Sequence, residues 1–204
     1  GVRVTEGLTD LRTMTIPLNR VQALEVIQPI WWRPLGWWRV RVNVAGVGSS
    51  GSGDGEGERE TTLLPVGTLD DALRVLTLLA PRVPASRWND AVLGEGPQRG
   101  WQTSSARAKL FDPLSWRRNG WSDTDGAVLL RSGRLTRRAI AVPHARIQSL
   151  TLQQGWLQAS RRVATLHVIP APGPISPVID HLDTEAAHDA FDRLNERARD
   201  ARRG

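Results

Sequence analysis

The 204-residue chain contains no cysteine, which excludes disulfides, thiolate metal sites and cysteine nucleophiles. Nor does any apolar run approach the roughly 20 residues needed to span a bilayer. The nearest, Ala72–Ala80, is short and contains Arg74. Lysine is almost missing, with 26 arginines to one lysine. Neither a GxSxG elbow nor the phosphate-binding loop GxxxxGK followed by Ser or Thr occurs, and the Gly46–Gly57 tract is too loose and acidic to cradle phosphate. The histidines, His144, His167, His181 and His188, lack a strong ligand spacing. Only His181, Asp183 and His188 could converge, around the start of the last helix, which is thin ground for zinc. No metal, cofactor or catalytic constellation is expected. The chain begins at Gly1 without Met or a signal-like segment, so it reads as a fragment of a longer protein.

What is present is uneven. The net charge is +6, but residues 1–105 hold 11 arginines and 11 acids, whereas residues 106–204 hold 16 basic and 10 acidic side chains. The excess lies entirely in the second half. It fits an anionic partner there, and equally an arginine-rich composition with no special partner.

An internal repeat organises the chain. Shifting the sequence by 126 residues aligns Val2–Ala45 with Val128–Ala171 without a gap and gives ten identities, including Gly7/Gly133, Pro17/Pro143, Arg20/Arg146 and Gln22/Gln148. That offset is too long for a solenoid and fits a duplicated domain. The second copy predicts strands at 127–131, 135–142, 147–154 and 163–169, and the first at 2–6, 11–16, 21–30, 37–44 and 61–64. Each copy then closes with an amphipathic helix. The first carries Leu69, Ala72, Leu73, Leu76 and Leu79 with a Thr68/Asp71 capping box; the second carries Ala187, Ala190, Phe191, Leu194 and Ala198 behind Asp183. Asn119–Asp123 supplies a preceding strand that the first copy lacks, so the edge at Val2–Glu6 is expected to be cut short or to need a partner. Residues 46–60 should form a mobile loop, and 81–105 a connection without clear periodicity.

The segments IPLNRVQALEVIQ (Ile16–Gln28) and VPHARIQSLTLQQG (Val142–Gly155) resemble the signature of bacterial pleckstrin-homology-like (PH-like) domains of membrane proteins, formerly catalogued as a domain of unknown function. GPISPVIDHLDTEAAHDAFDRL (Gly173–Leu194) is similar to that family's last strand and helix. The resemblance implies a mainly β fold with C-terminal helices (α+β): two tandem PH-like units, each an antiparallel curved sheet or open barrel capped by one helix. Their expected limits are residues 1–84 and 106–204, with 85–105 as linker. Family members carry transmembrane helices beside such domains, so the resemblance implies a soluble part of a membrane protein at its cytoplasmic face.

Three groups are candidate site residues. Arg20, Gln22, Arg146 and Gln148 form the repeated Arg-x-Gln motif. Its position at a strand entrance, on the face that continues into Leu150 and Leu152, favours a structural role over a ligand contact. Arg131, Arg134, Arg137 and Arg138 surround one glycine turn, like the basic hairpins that hold phosphoinositide headgroups in eukaryotic PH domains; the bland alternative is a solvated edge. Trp31, Trp32, Trp37 and Trp38 flank Pro34–Gly36, where a strand hairpin would push one member of each pair outward, toward another protein or a bilayer interface. These features predict a non-enzymatic membrane-associated scaffold for protein segments, with anionic lipid as a second partner. Nucleic-acid binding through the basic repeat is the alternative. Against it stand the lack of a helix-turn-helix or zinc finger and the clustering of aromatics in the neutral repeat.

Overall fold

A computed structural model describes residues 2–6, 12–16, 20–45, 61–171, 173 and 175–203, with backbone alone for 2–6, 12–16 and 61. The expected loop at 46–60 lies outside the described residues. The strands of the first repeat are β1 (Val2–Glu6), β2 (Arg12–Ile16), β3 (Val21–Pro29), β4 (Trp38–Val44) and β5 (Thr61–Gly67). After them come helices α1 (Leu69–Leu79) and α2 (Ala85–Leu93) and the short strand β6 (Gln102–Thr103). The second repeat supplies β7 (Gly120–Asp123), β8 (Ala127–Ser132), β9 (Thr136–Pro143), β10 (Ser149–Gln153), α3 (Trp156–Ser160), β11 (Val163–Ile169), β12 (Val178–Asp183) and α4 (Thr184–Arg203). All strand pairing is antiparallel, and the sheets are open.

The 126-residue offset holds in three dimensions. Arg20 and Arg146 both occupy a 3-10 turn that leads into a strand, rather than the strand itself. Proline ends the strand before Arg146 and has no N–H to continue the ladder. Further along, the 3-10 turn Ile30–Trp32 of the first repeat corresponds to α3 of the second. The closing helices form on the expected faces. Thr68 caps α1 through the Asp71 N–H, and the Asp71 carboxylate accepts from the Thr68 N–H at 3.1 Å. Ala72, Leu76 and Leu79 are buried along α1, and Ala187, Ala190, Leu194 and Ala198 along α4.

The repeats are not separate beads. β3 pairs with β9, from Leu24 opposite Ala141 to Pro29 opposite Thr136, producing a seven-stranded sheet in the order β5-β4-β3-β9-β8-β7-β6. β1 and β2 pair with each other, and no other strand registers against β1 among the described residues. A three-stranded sheet, β10-β11-β12, lies across the second repeat.

Alternation in β8 and β9 then serves two cores. Ala127, Leu129, Ala139 and Ala141 face a core built with β3, β4, α1 and α2, whereas Val128, Leu130, Ile140 and Val142 face one closed by β11, β12 and α4. Alanine dominates on the first side, where Trp88 of α2 and Trp101 take up the volume. Residues 85–105, expected as a linker without periodicity, therefore contain a helix whose Trp88, Ala91 and Val92 are completely buried.

One ion-pair group crosses the junction. Glu25 on β3, only 2% exposed, receives Arg41 of β4 at 3.3 Å and Arg138 of β9 at 2.8 Å. A buried carboxylate is tolerated only where cations and donors replace its water.

Because the first core includes strands of the second repeat, the full chain is expected to unfold in one cooperative transition by calorimetry. Trp88→Ala should lower stability by about 3–5 kcal/mol in urea titration. Two resolved transitions, only one shifted by that substitution, would show independent units instead.

Candidate functional site

The β3–β9 register sets the end of each strand beside the other. Pro29 opposite Thr136 brings the turn after β3, residues 30–37, next to the β8–β9 turn, residues 133–135. An Arg33 guanidinium nitrogen donates to the carbonyls of Arg134 and Leu135. The loop before β7 closes the third side: the Arg134 N–H donates to Ser115 Oγ at 3.1 Å, and the Gly133 N–H to Asn119 Oδ1 at 3.1 Å. Gly133 has φ +73°, and a Cβ there would strike the Thr136 carbonyl, so this turn requires glycine.

Several apolar side chains crown this tip. Trp31 is 72% exposed and Trp37 41%, with Leu35, Leu114 and Leu135 each more than half exposed. Trp32 is half-buried: it meets Trp37 edge-to-face at 6.2 Å between ring centroids, and the Arg39 guanidinium lies 5.0 Å from its ring. Trp38 starts β4 and is buried. The expected strand hairpin is thus a 3-10 turn followed by a loop, because Pro29 and Pro34 bracket a helical turn. Alternation correctly separates Trp37 from Trp38 but does not apply to Trp31 and Trp32.

The four hairpin arginines do not converge. Arg131 is 2% exposed and points under α2, donating to the carbonyls of Arg118 at 3.0 Å, Asp90 at 3.2 Å and Gly96, with Trp101 stacked 4.3 Å away. Arg118, equally buried, donates to the carbonyls of Gly94 at 2.8 Å, Val92 at 2.7 Å and Ala91 at 3.1 Å. Both therefore hold the C-terminal end of α2, where unpaired carbonyls and the helix dipole favour cations. Burial pulls each guanidinium down to about 10, still charged at neutral pH.

Arg138 is committed to Glu25, while Arg137, on the opposite face of β9, reaches Gln28 Oε1 at 3.5 Å. Arg134 stays exposed on the turn. Desolvation and then the charges of Arg137 and Arg134 lower the Arg33 pKa, and Glu95 partly offsets them. The basic group at the tip is thus Arg33, Arg134 and Arg137. Arg33 was not among the expected basic residues, because it belongs to the other repeat.

The Arg-x-Gln motif serves the backbone in the first copy. The Gln22 amide donates to the Arg20 carbonyl at 3.3 Å, and that carbonyl also accepts from the Ala45 N–H at 3.0 Å. In the second copy Gln148 is exposed and Arg146 half-buried. The repeat offset also reveals a residue that composition missed: Trp156, 85% exposed, occupies the position equivalent to Ile30 on the matching turn. Among the described residues no group of three or more His, Asp or Glu could hold a metal, and no helix is long and apolar enough to cross a membrane.

A family model described as "Bacterial PH domain" matches residues 1–83 and 105–198. No curated protein and no solved structure matches the chain.

The two classes of arginine should separate in stability measurements. Arg131→Met is expected to cost about 2–4 kcal/mol, since the buried carbonyls of Arg118, Asp90 and Gly96 lose its guanidinium donors, whereas Arg134→Ala should stay within about 0.5 kcal/mol. Equal urea midpoints for the two variants would contradict the structural role of Arg131.

Proposed function

The chain belongs to the bacterial PH domain family, and from that premise we propose that it is a non-enzymatic, membrane-associated binding module. Its two units, residues 1–84 and 106–204, act as one body through the α2 segment. The tip formed by residues 30–37, 133–135 and the loop around Leu114 docks on the anionic, cytoplasmic face of a membrane. The observation that carries this reading is the bond from Arg33 to the Arg134 and Leu135 carbonyls, which fastens an exposed aromatic turn to a basic turn. Exposed tryptophan and leucine beside arginine suit headgroup depth, where the ring is half in hydrocarbon and guanidinium meets phosphate. Both repeats contribute: the first supplies the tryptophans and Arg33, the second adds Arg134 and Arg137.

Binding of a protein segment by the same exposed aromatics is the second reading. It is favoured by Trp156, which shows an apolar ring on the equivalent turn of the other repeat.

Co-sedimentation with vesicles distinguishes them. Wild type is expected to bind phosphatidylserine vesicles and to release with added salt. Arg134→Ala with Arg137→Ala should weaken this by roughly tenfold to thirtyfold, at about 1 kcal/mol per arginine near the surface. Trp31→Ala should weaken binding to neutral and anionic vesicles alike, without changing the salt dependence. If the double arginine variant binds anionic vesicles as wild type does, the lipid reading fails and the protein-segment reading stands alone.

A further inference from the structure

The other end of β7 carries a second, unrelated feature. Asp123 ends that strand, and beside it a cleft of about 390 Å³ is lined by Arg87 of α2, Gln102 of β6, Trp121 and Asp123 of β7, and Arg193 and Arg197 of α4. Elements from both halves of the chain build it. Its lining is polar, unlike the apolar groove on α1 between Leu73 and Leu78.

The charges in the cleft do not balance. Arg197 pairs with Asp123 at 3.2 Å, and His144 approaches the same carboxylate at 3.0 Å. Burial alone would raise that carboxyl, but His144 and Arg197 outweigh it and hold Asp123 below the usual carboxylate range. It is therefore ionised at neutral pH and already engaged. Arg193 lies over the Trp121 ring at 5.8 Å, and Arg87 donates to the carbonyls of Arg99 and, at 3.5 Å, Asp123. Neither has a carboxylate partner among the described residues. Three guanidinium groups against one carboxylate leave a surplus of two positive charges in one concave, partly enclosed space. Trp121 belongs both to the second core and to the cleft wall; it is 1% exposed, and its indole N–H has no acceptor among the described residues, so it reports on the cleft. Trp88 and Trp101, which do not line the cleft, share that lack.

We propose that this cleft binds a phosphate monoester, with its dianionic head between Arg87, Arg193 and Arg197. A dianion matches the surplus charge, and planar guanidinium groups from two helices can each present paired N–H donors to its oxygens. Diester phosphates carry one charge and would leave one guanidinium uncompensated. The site lies at the opposite end of β7 from the membrane-docking tip and does not depend on that reading. A free phosphorylated metabolite and an exposed lipid phosphate monoester both offer this chemistry.

Calorimetry on the full chain at constant ionic strength tests it, with inorganic phosphate and glycerol 3-phosphate as soluble probes and phosphatidic acid vesicles as the lipid probe. Saturable binding is expected, with a shift of the Trp121 indole ¹⁵N–¹H resonance. Arg193→Gln and Arg87→Gln should each weaken binding about tenfold, while Arg74→Ala, an exposed position on α1 outside both sites, leaves it unchanged. Binding of the soluble probes identifies a free ligand. Binding confined to phosphatidic acid vesicles, and lost in Arg193→Gln but kept in Arg74→Ala, identifies the lipid. The proposal is overturned if no probe moves the Trp121 resonance, or if Arg193→Gln, shown folded by its melting curve, binds as wild type does. Should one variant fail to fold, the wild-type Trp121 shift and the other variant decide.

Discussion

Everything in this molecule follows from one strand pairing, β3 of the first repeat against β9 of the second. A sheet edge left open exposes unpaired N–H and C=O groups and invites association. Here each repeat covers an edge of the other. Once β9 is central, its two faces must both be covered, and the sequence Ala139-Ile-Ala-Val142 meets that need by alternating small and large apolar residues. Glu25 then fixes the register electrostatically, since sliding β9 by one residue would turn Arg138 to the opposite face and leave a buried carboxylate short of a cation.

The same junction explains why a chain so short of lysine suits its fold. Arg118 and Arg131 are buried without direct carboxylate pairs, and they donate instead to backbone carbonyls, most of them at or just beyond the end of α2. A guanidinium spreads its charge and offers several donors in a fixed plane, so one side chain can bridge carbonyls from a helix end and a loop. An ammonium could not serve those separate acceptors from one position. The connection between the repeats is thereby bolted down, which is why α2 behaves as part of the first core.

Most strands were legible in the sequence because turn residues and β-favouring runs delimit them, and the repeat doubled each signal. The strand Val163–Ile169 and the Thr68/Asp71 capping box match their expectation residue for residue. Helix α2 was not legible: nine residues with Trp88 as their largest apolar group give little periodicity, and the helix is stabilised by tertiary contacts. The β3–β9 pairing was invisible for a different reason. Alternation states which residues share a face, not which strand lies alongside. Arg131 was assigned to a basic hairpin by proximity in sequence, yet its strand position turns it toward α2 and away from the turn that carries Arg134.

Duplication followed by divergence gives a physical reason for that failure at the candidate surface. At matching positions the first copy has Trp31 and the second Leu157, while Leu11 and Arg12 correspond to Arg137 and Arg138. Read copy by copy, the tryptophan cluster and the four-arginine hairpin belong to different domains and argue for different partners. The cross-repeat sheet removes that separation, because an antiparallel pair necessarily brings the exit of β3 to the entrance of β9. Arg33 then spans the remaining gap with backbone acceptors, which makes the contact insensitive to the side chains of the opposite turn. The surface is therefore a property of the pairing. In a duplicated protein whose copies share a sheet, a site composed of one turn from each copy can vary on either side while the fold holds the two in place.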